Sequence, residues 1–123
     1  MNCRIIAIDN FRREAKRLLK KFPSLKAELL ILEQILLDNP HTGIEITSNT
    51  YKIRLAVKSK GKGKSGGMRI ITHVVEIELQ IEAQETETTV FLLSIYDKSE
   101  EGNISDKELR GLIEDAIQNL DDV

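Results

Sequence analysis

A chain of 123 residues with 41% hydrophobic and 31% charged content has the length and composition of one globular domain with a real core, which leaves no room for a second domain and excludes a low-complexity polymer. The single cysteine, Cys3, forbids an internal disulfide and points to a reducing compartment. No apolar run approaches the ~18 residues of a bilayer span and Arg12 and Arg13 follow the apolar start, so neither membrane span nor signal peptide is expected and the cytoplasm is the predicted location.

Cys3 to Ile8 reads as a short apolar strand ended by Asp9-Asn10, which suit the cap of a following helix. Phe11, Ala15, Leu18, Leu19 and Phe22 then recur at helical spacing among Arg12, Arg13, Lys16, Arg17, Lys20 and Lys21, an amphipathic and basic helix. Pro23-Ser24 breaks the pattern. Leu25, Leu29, Leu32 and Leu36 restart it on a second helix that stops at Asp38-Asn39-Pro40. From Tyr51 the period falls to two: Tyr51, Ile53, Leu55 and Val57 alternate with Lys52, Arg54, Ala56 and Lys58, so Lys52 and Arg54 share the solvent side of a half-buried strand. The stretch from Ser59 to Gly67, with four glycines, is a flexible or tightly turned connection. Met68 to Ile81 resumes alternation, with Glu76, Glu78, Gln80 and Glu82 interleaved among apolar residues. That parity places Arg69 on the apolar face unless a twist or bulge near Gly66-Gly67 exposes it. Glu85 to Thr88 is read as a polar turn and Val90 to Ile95 as a central strand. Ser105-Asp106-Lys107-Glu108 is a capping box that opens an amphipathic C-terminal helix. The predicted order is β-α-α-β-β-β-α. The predicted fold is α+β: an antiparallel meander sheet with an N-terminal strand, a helix hairpin packed on it and a C-terminal helix.

The net charge of -2 conceals a strong asymmetry. Between Ile46 and Val75 there are seven cations and no acid: Lys52, Arg54, Lys58, Lys60, Lys62, Lys64 and Arg69. From Glu76 onward fourteen acids face only Lys98, Lys107 and Arg110. A cationic block in acidic surroundings predicts a local anion site, because clustered Lys and Arg bind phosphates by releasing counterions. Gly63-Lys64-Ser65 looks like the end of a P-loop, but that motif needs glycine where Lys58 stands and a helix where strand periodicity follows. His41 and His73 lie far apart with one cysteine in the chain, so no zinc site is predicted. The alternating glutamates from Glu76 read as a solvated strand face rather than a calcium site.

The run Tyr51-Lys52-Ile53-Arg54-Leu55, the basic glycine loop, Gly67-Met68-Arg69-Ile70-Ile71 and Phe91-Leu92-Leu93-Ser94-Ile95-Tyr96-Asp97-Lys98 together resemble the RelE/HigB toxins of bacterial toxin-antitoxin systems. The lysine-rich loop is closest to the HigB-like branch. The resemblance covers the chain in element order, with its specific motifs between Tyr51 and Lys98. It implies a microbial-RNase-like fold that cleaves messenger RNA, usually on the ribosome, inhibits translation and is neutralised by a bound antitoxin. Attack by a ribose 2'-hydroxyl on the adjacent phosphate needs a proton acceptor, stabilisation of the pentavalent phosphorane and help for the leaving 5'-oxygen, none of which requires a metal or other cofactor. By position, the resemblance makes Arg54 and Arg69 the electrostatic stabilisers, Lys52 the candidate base if neighbouring cations lower its pKa, and Lys98 the group that assists the leaving oxygen. Lys58, Lys60, Lys62 and Lys64 are assigned to RNA phosphate binding. Several members of the family carry a tyrosine or histidine near the C-terminus for acid-base work; this chain has neither there, and Tyr96 is the nearest substitute. Two other readings remain open. A ParE-like toxin keeps the fold and poisons gyrase, although such toxins tend to lack the Lys52, Arg54, Arg69 and Lys98 set; a catalytically decayed homologue would serve as a binding module.

Overall fold

The helical and alternating periods become three helices and five strands in a computed structural model that describes residues 2–61, 67–79, 85–100 and 102–121. Strand β1 (Asn2–Ala7) leads directly into α1 (Asp9–Lys21), whose Phe11, Ala15 and Leu18 are buried. Ile8, in extended geometry, is the N-cap residue, so Asp9 and Asn10 do not cap the helix as expected but lie in its first turn. There the Asp9 carboxylate meets the positive end of the helix dipole, while Asn10 Nδ2 donates to Leu93 O at 3.0 Å. The chain turns at Phe22-Pro23, and α2 (Leu25–Asp38) buries Leu25, Leu32 and Leu36.

A strand absent from the predicted order follows, β2 (Ile44–Thr47), paired antiparallel with β3 (Thr50–Leu55). Two features make this hairpin fit. Asn49, in the turn, takes a left-handed φ of 55°, and Gly43 takes φ 107° where an added Cβ would stand 2.7 Å from Lys52 O. After β3 a short 3-10 turn, Lys58–Lys60, closes on Gly61, and then come β4 (Met68–Leu79) and β5 (Glu85–Asp97). The residues Glu85 to Thr88, expected as a polar turn, are therefore strand: Thr88 and Thr89 are buried, and β-branched threonine suits a sheet as well as valine does.

The sheet order is β1-β5-β4-β3-β2. β2 to β5 form the antiparallel meander, but β1 pairs parallel with β5, Ile5 opposite Val90, so the sheet is mixed rather than antiparallel throughout. The register shift in the β4–β5 ladder lies at Ile71/Thr72, and Gly66, where a bulge is the alternative, lies outside the described residues. Side-chain alternation then sorts the two faces. The row Tyr51–Thr72–Leu92 lies on the face covered by α1 and α2, and Ile5 and Leu92 line a groove with Phe11, Leu29 and Leu36. The rows Arg54–Arg69–Tyr96 and Lys52–Ile71–Ser94 lie on the other face, under α3 (Asp106–Asp121). The capping box is present: Ser105 Oγ accepts from the Glu108 amide and donates to its carboxylate, each at 3.2 Å. Among the described residues no helix is long and apolar enough to cross a membrane.

Candidate nucleic-acid interface

Three adjacent strands bring Arg54, Arg69 and Tyr96 into one row, since Arg54 is the register partner of Arg69 and Arg69 that of Tyr96. Neighbours in such a row have Cβ atoms ~4.5–5.5 Å apart. Lys52 stands one row away on the same face. The three are not equally available. Arg54 is exposed and Lys52 half-buried, whereas Arg69 is 5% exposed and its guanidinium donates to Met68 O at 3.2 Å. The strand parity that pointed Arg69 inward is kept, and no bulge turns it out to solvent.

Above this face α3 leaves a cleft of about 550 Å³ whose walls include Lys52, Tyr96, Asn103, Asp106 and Arg110. Lys52 Nζ donates to Asn103 Oδ1 at 3.3 Å, which holds its ammonium at the cleft wall. Tyr96 is buried and forms part of a second cavity of about 380 Å³, lined also by Asn10, Glu14, Ser94, Glu108 and Asp115. Glu14 is held there by the Asn10 amide at 2.9 Å, Ser94 Oγ at 2.9 Å and Ile95 N–H at 3.2 Å. Lys52 and Arg110 outnumber Asp106 at the first cleft, and the charged residues bordering the second are all acids. The local field therefore favours an anion at the Lys52 and Arg110 end and opposes one beyond Tyr96.

The lysines assigned to phosphate binding separate. Lys58 is exposed, and its backbone N–H donates to Glu28 Oε2 at 2.8 Å, while Ser59 N–H donates to Ser24 Oγ at 3.0 Å. Lys60 has partners within the fold. Its ammonium pairs with Asp97 and donates to Ser99 Oγ at 3.3 Å, with the Lys60 and Asp97 side chains 5% and 2% exposed. The ammonium also lies 5.5 Å from the centre of the Phe22 ring, a cation–π contact. Burial pushes the Asp97 carboxyl up, but the Lys60 ammonium and the Ser99 hydroxyl and amide outweigh it and hold the acid below its usual range. A cation neutralised this way fastens the loop after β3 to the end of β5 and adds little to the outer field. Lys62 and Lys64 lie outside the described residues. Lys98 is exposed in the turn after β5, where its N–H donates to Gly67 O at 3.2 Å.

Arg110 and Asn103 escape the sequence reading. Arg110 stands among acids with no strand alternation to mark it, and only its place one turn beyond the capping box brings it over Lys52. His41 and His73 go to separate partners: His41 bridges the Tyr51 hydroxyl and the Glu76 carboxylate, and His73 Nδ1 meets Thr50 Oγ1 at 2.9 Å. Thr50 Oγ1 also bonds Ser48 O at 3.0 Å, and its single proton serves that carbonyl, so His73 Nδ1 carries the other. Burial pushes the His73 imidazole down from its usual pKa. Among the described residues no three His, Cys, Asp or Glu side chains are grouped as a metal ion needs. The chain matches no family model and no curated protein.

Proposed function

We propose that the protein is a metal-independent endoribonuclease of the RelE/HigB kind, acting on messenger RNA at the ribosome in the cytoplasm and held in check by an antitoxin protein. The observation that carries this reading is the Arg54–Arg69–Tyr96 row beside Lys52, on a sheet face where Lys52 and Tyr96 line a cleft of about 550 Å³. Arg54 and Lys52 meet the scissile phosphate. Arg69, beneath them, adds positive potential from a medium of low dielectric, where charge acts more strongly than in water. Lys98 assists the leaving 5'-oxygen, and Tyr96 shuttles a proton at the cleft wall. Attack by the 2'-oxygen leaves a 2',3'-cyclic phosphate and a 5'-hydroxyl, so the test is to map new 5'-hydroxyl ends in host transcripts after induced expression. Cleavage is expected with the native chain, together with growth arrest, and Arg54→Ala is expected to lower it by ~100-fold. Native protein that is soluble and produces no new ends overturns the reading.

A second reading, a RelE-fold module that binds without cutting, is favoured by one observation. Glu14, Glu108 and Asp115 line the cavity next to Tyr96, where a nuclease gains from cations. Retained RNA binding without cleavage would select it.

A further inference from the structure

Helix α2 covers a sheet face, and a helix in that position normally turns a polar back to water. This one does not. Leu25, Leu32 and Leu36 are buried, yet Leu30, Ile31 and Ile35 on the outward side are 55%, 62% and 45% exposed. With Ala27 and Gln34 they form a seam at the i, i+3, i+4, i+7 and i+8 positions, the spacing by which one helix meets another.

The charges beside the seam indicate what covers it. Lys26 and Glu33 are seven residues apart, hence on the same flank of the helix, one toward each end of the seam. Both are exposed and line the same groove, and neither belongs to an ion pair among the described residues. When two such helices run antiparallel about a twofold axis, equal flanks meet, so each Lys26 faces the other copy's Glu33. A parallel pair would set this flank against the opposite flank of the other copy, so Lys26 and Glu33 would not meet. An acidic or basic partner helix would satisfy one of the two charges and oppose the other. We propose that the protein forms a twofold-symmetric homodimer by antiparallel packing of α2 on α2, with the axis beside Leu30. The dimer lies on the sheet face opposite Lys52 and Arg54 and the cleft that Lys52 lines. Both clefts stay open, and the inference does not depend on the ribonuclease reading.

Sedimentation equilibrium of the full chain tests it. A dimer is expected, and Ile31→Glu is expected to give a monomer with unchanged circular dichroism, since Ile31 is mostly in water and outside the core. Lys26→Glu should weaken the dimer on the order of 10-fold, because the change occurs twice in a symmetric contact. Lys26→Glu with Glu33→Lys should restore it. In a Cys3→Ser background, Ala27→Cys protein mixed with Gln34→Cys protein should cross-link as the mixed pair. A native chain that remains monomeric to about 1 mM overturns the proposal. A dimer indifferent to Ile31→Glu, a double charge reversal that fails to restore association, or Ala27→Cys protein that links only to itself does the same.

Discussion

The Lys60 ammonium, enclosed by Asp97, Ser99 and the Phe22 ring, shows how one residue's surroundings override its type. In a lysine-rich loop it reads as one more phosphate-seeking charge, because sequence reports that the cation is there and not that Asp97, 37 residues on, is folded against it. Removing one member of a buried pair strands the other, at a cost of ~3–5 kcal/mol. Lys60→Met is therefore expected to lower the urea midpoint sharply, and Lys60→Met with Asp97→Leu to regain much of the loss. Lys58→Ala, which leaves the backbone bond to Glu28 intact, should move that midpoint little. Equal midpoints for Lys58→Ala and Lys60→Met would remove the structural role given to Lys60. Arg69 was legible in part. Alternation from Val75 back to Arg69 gave the inward direction, and its cross-strand partners Arg54 and Tyr96 could not be known before the register was.

Among the elements, those with long amphipathic periods were plain in the sequence and those built from pairing were not. α1, α2 and β3 carry their own pattern. β2 is only four residues long and wholly exposed, so Ile44 and Ile46 answer to no core and leave a weak signal, although Asn49 is the kind of residue a tight hairpin turn uses. Glu85 to Thr88 looks like a turn by polarity, yet its partners Leu79 to Glu76 make it strand. The C-terminal helix announces itself through Ser105, whose hydroxyl accepts the Glu108 amide at 3.2 Å. Ser105→Ala is expected to cost about 1 kcal/mol, read as a loss of α3 protection in hydrogen exchange greater than that of β4 or β5. Uniform loss over the whole sheet would show instead that α3 and the sheet open as one unit.

The molecule as a whole should be most stable over a broad neutral plateau. His73, Asp97 and Glu100 all have lowered pKa values in the fold, so the folded state binds fewer protons than the unfolded one. Their stabilisation is complete above the unfolded values and is lost as pH falls through the folded ones: His73 begins to act below 6.5 and Asp97 below 3.8. Cys3 is pushed up by burial, as is Tyr51 by burial with Glu45 and Glu76 beside it, so their stabilisation is lost as pH rises above 9.0 and 10.0. Thermal midpoints should be flat between about 6.5 and 9.0 and fall on either side. His73→Gln should remove the first step of the acid limb, and an unchanged slope just below 6.5 in that variant would clear His73 of the effect.

The mixed sheet was the least legible feature at this scale, because a parallel edge pairing leaves no mark on either strand's local pattern. β1 bonds β5 through partners 85 residues apart, as Arg4 and Thr89 are. During synthesis this separation becomes a delay. α1 and α2 can wind as soon as they emerge, but β5, which lies between β1 and the rest of the sheet, follows only after β2, β3 and β4. At ~10 residues per second the leucines of both helices wait on the order of 10 s for that floor. Through that interval the nascent chain exposes apolar surface of the kind that chaperones hold, and the sheet closes only once β5 has emerged.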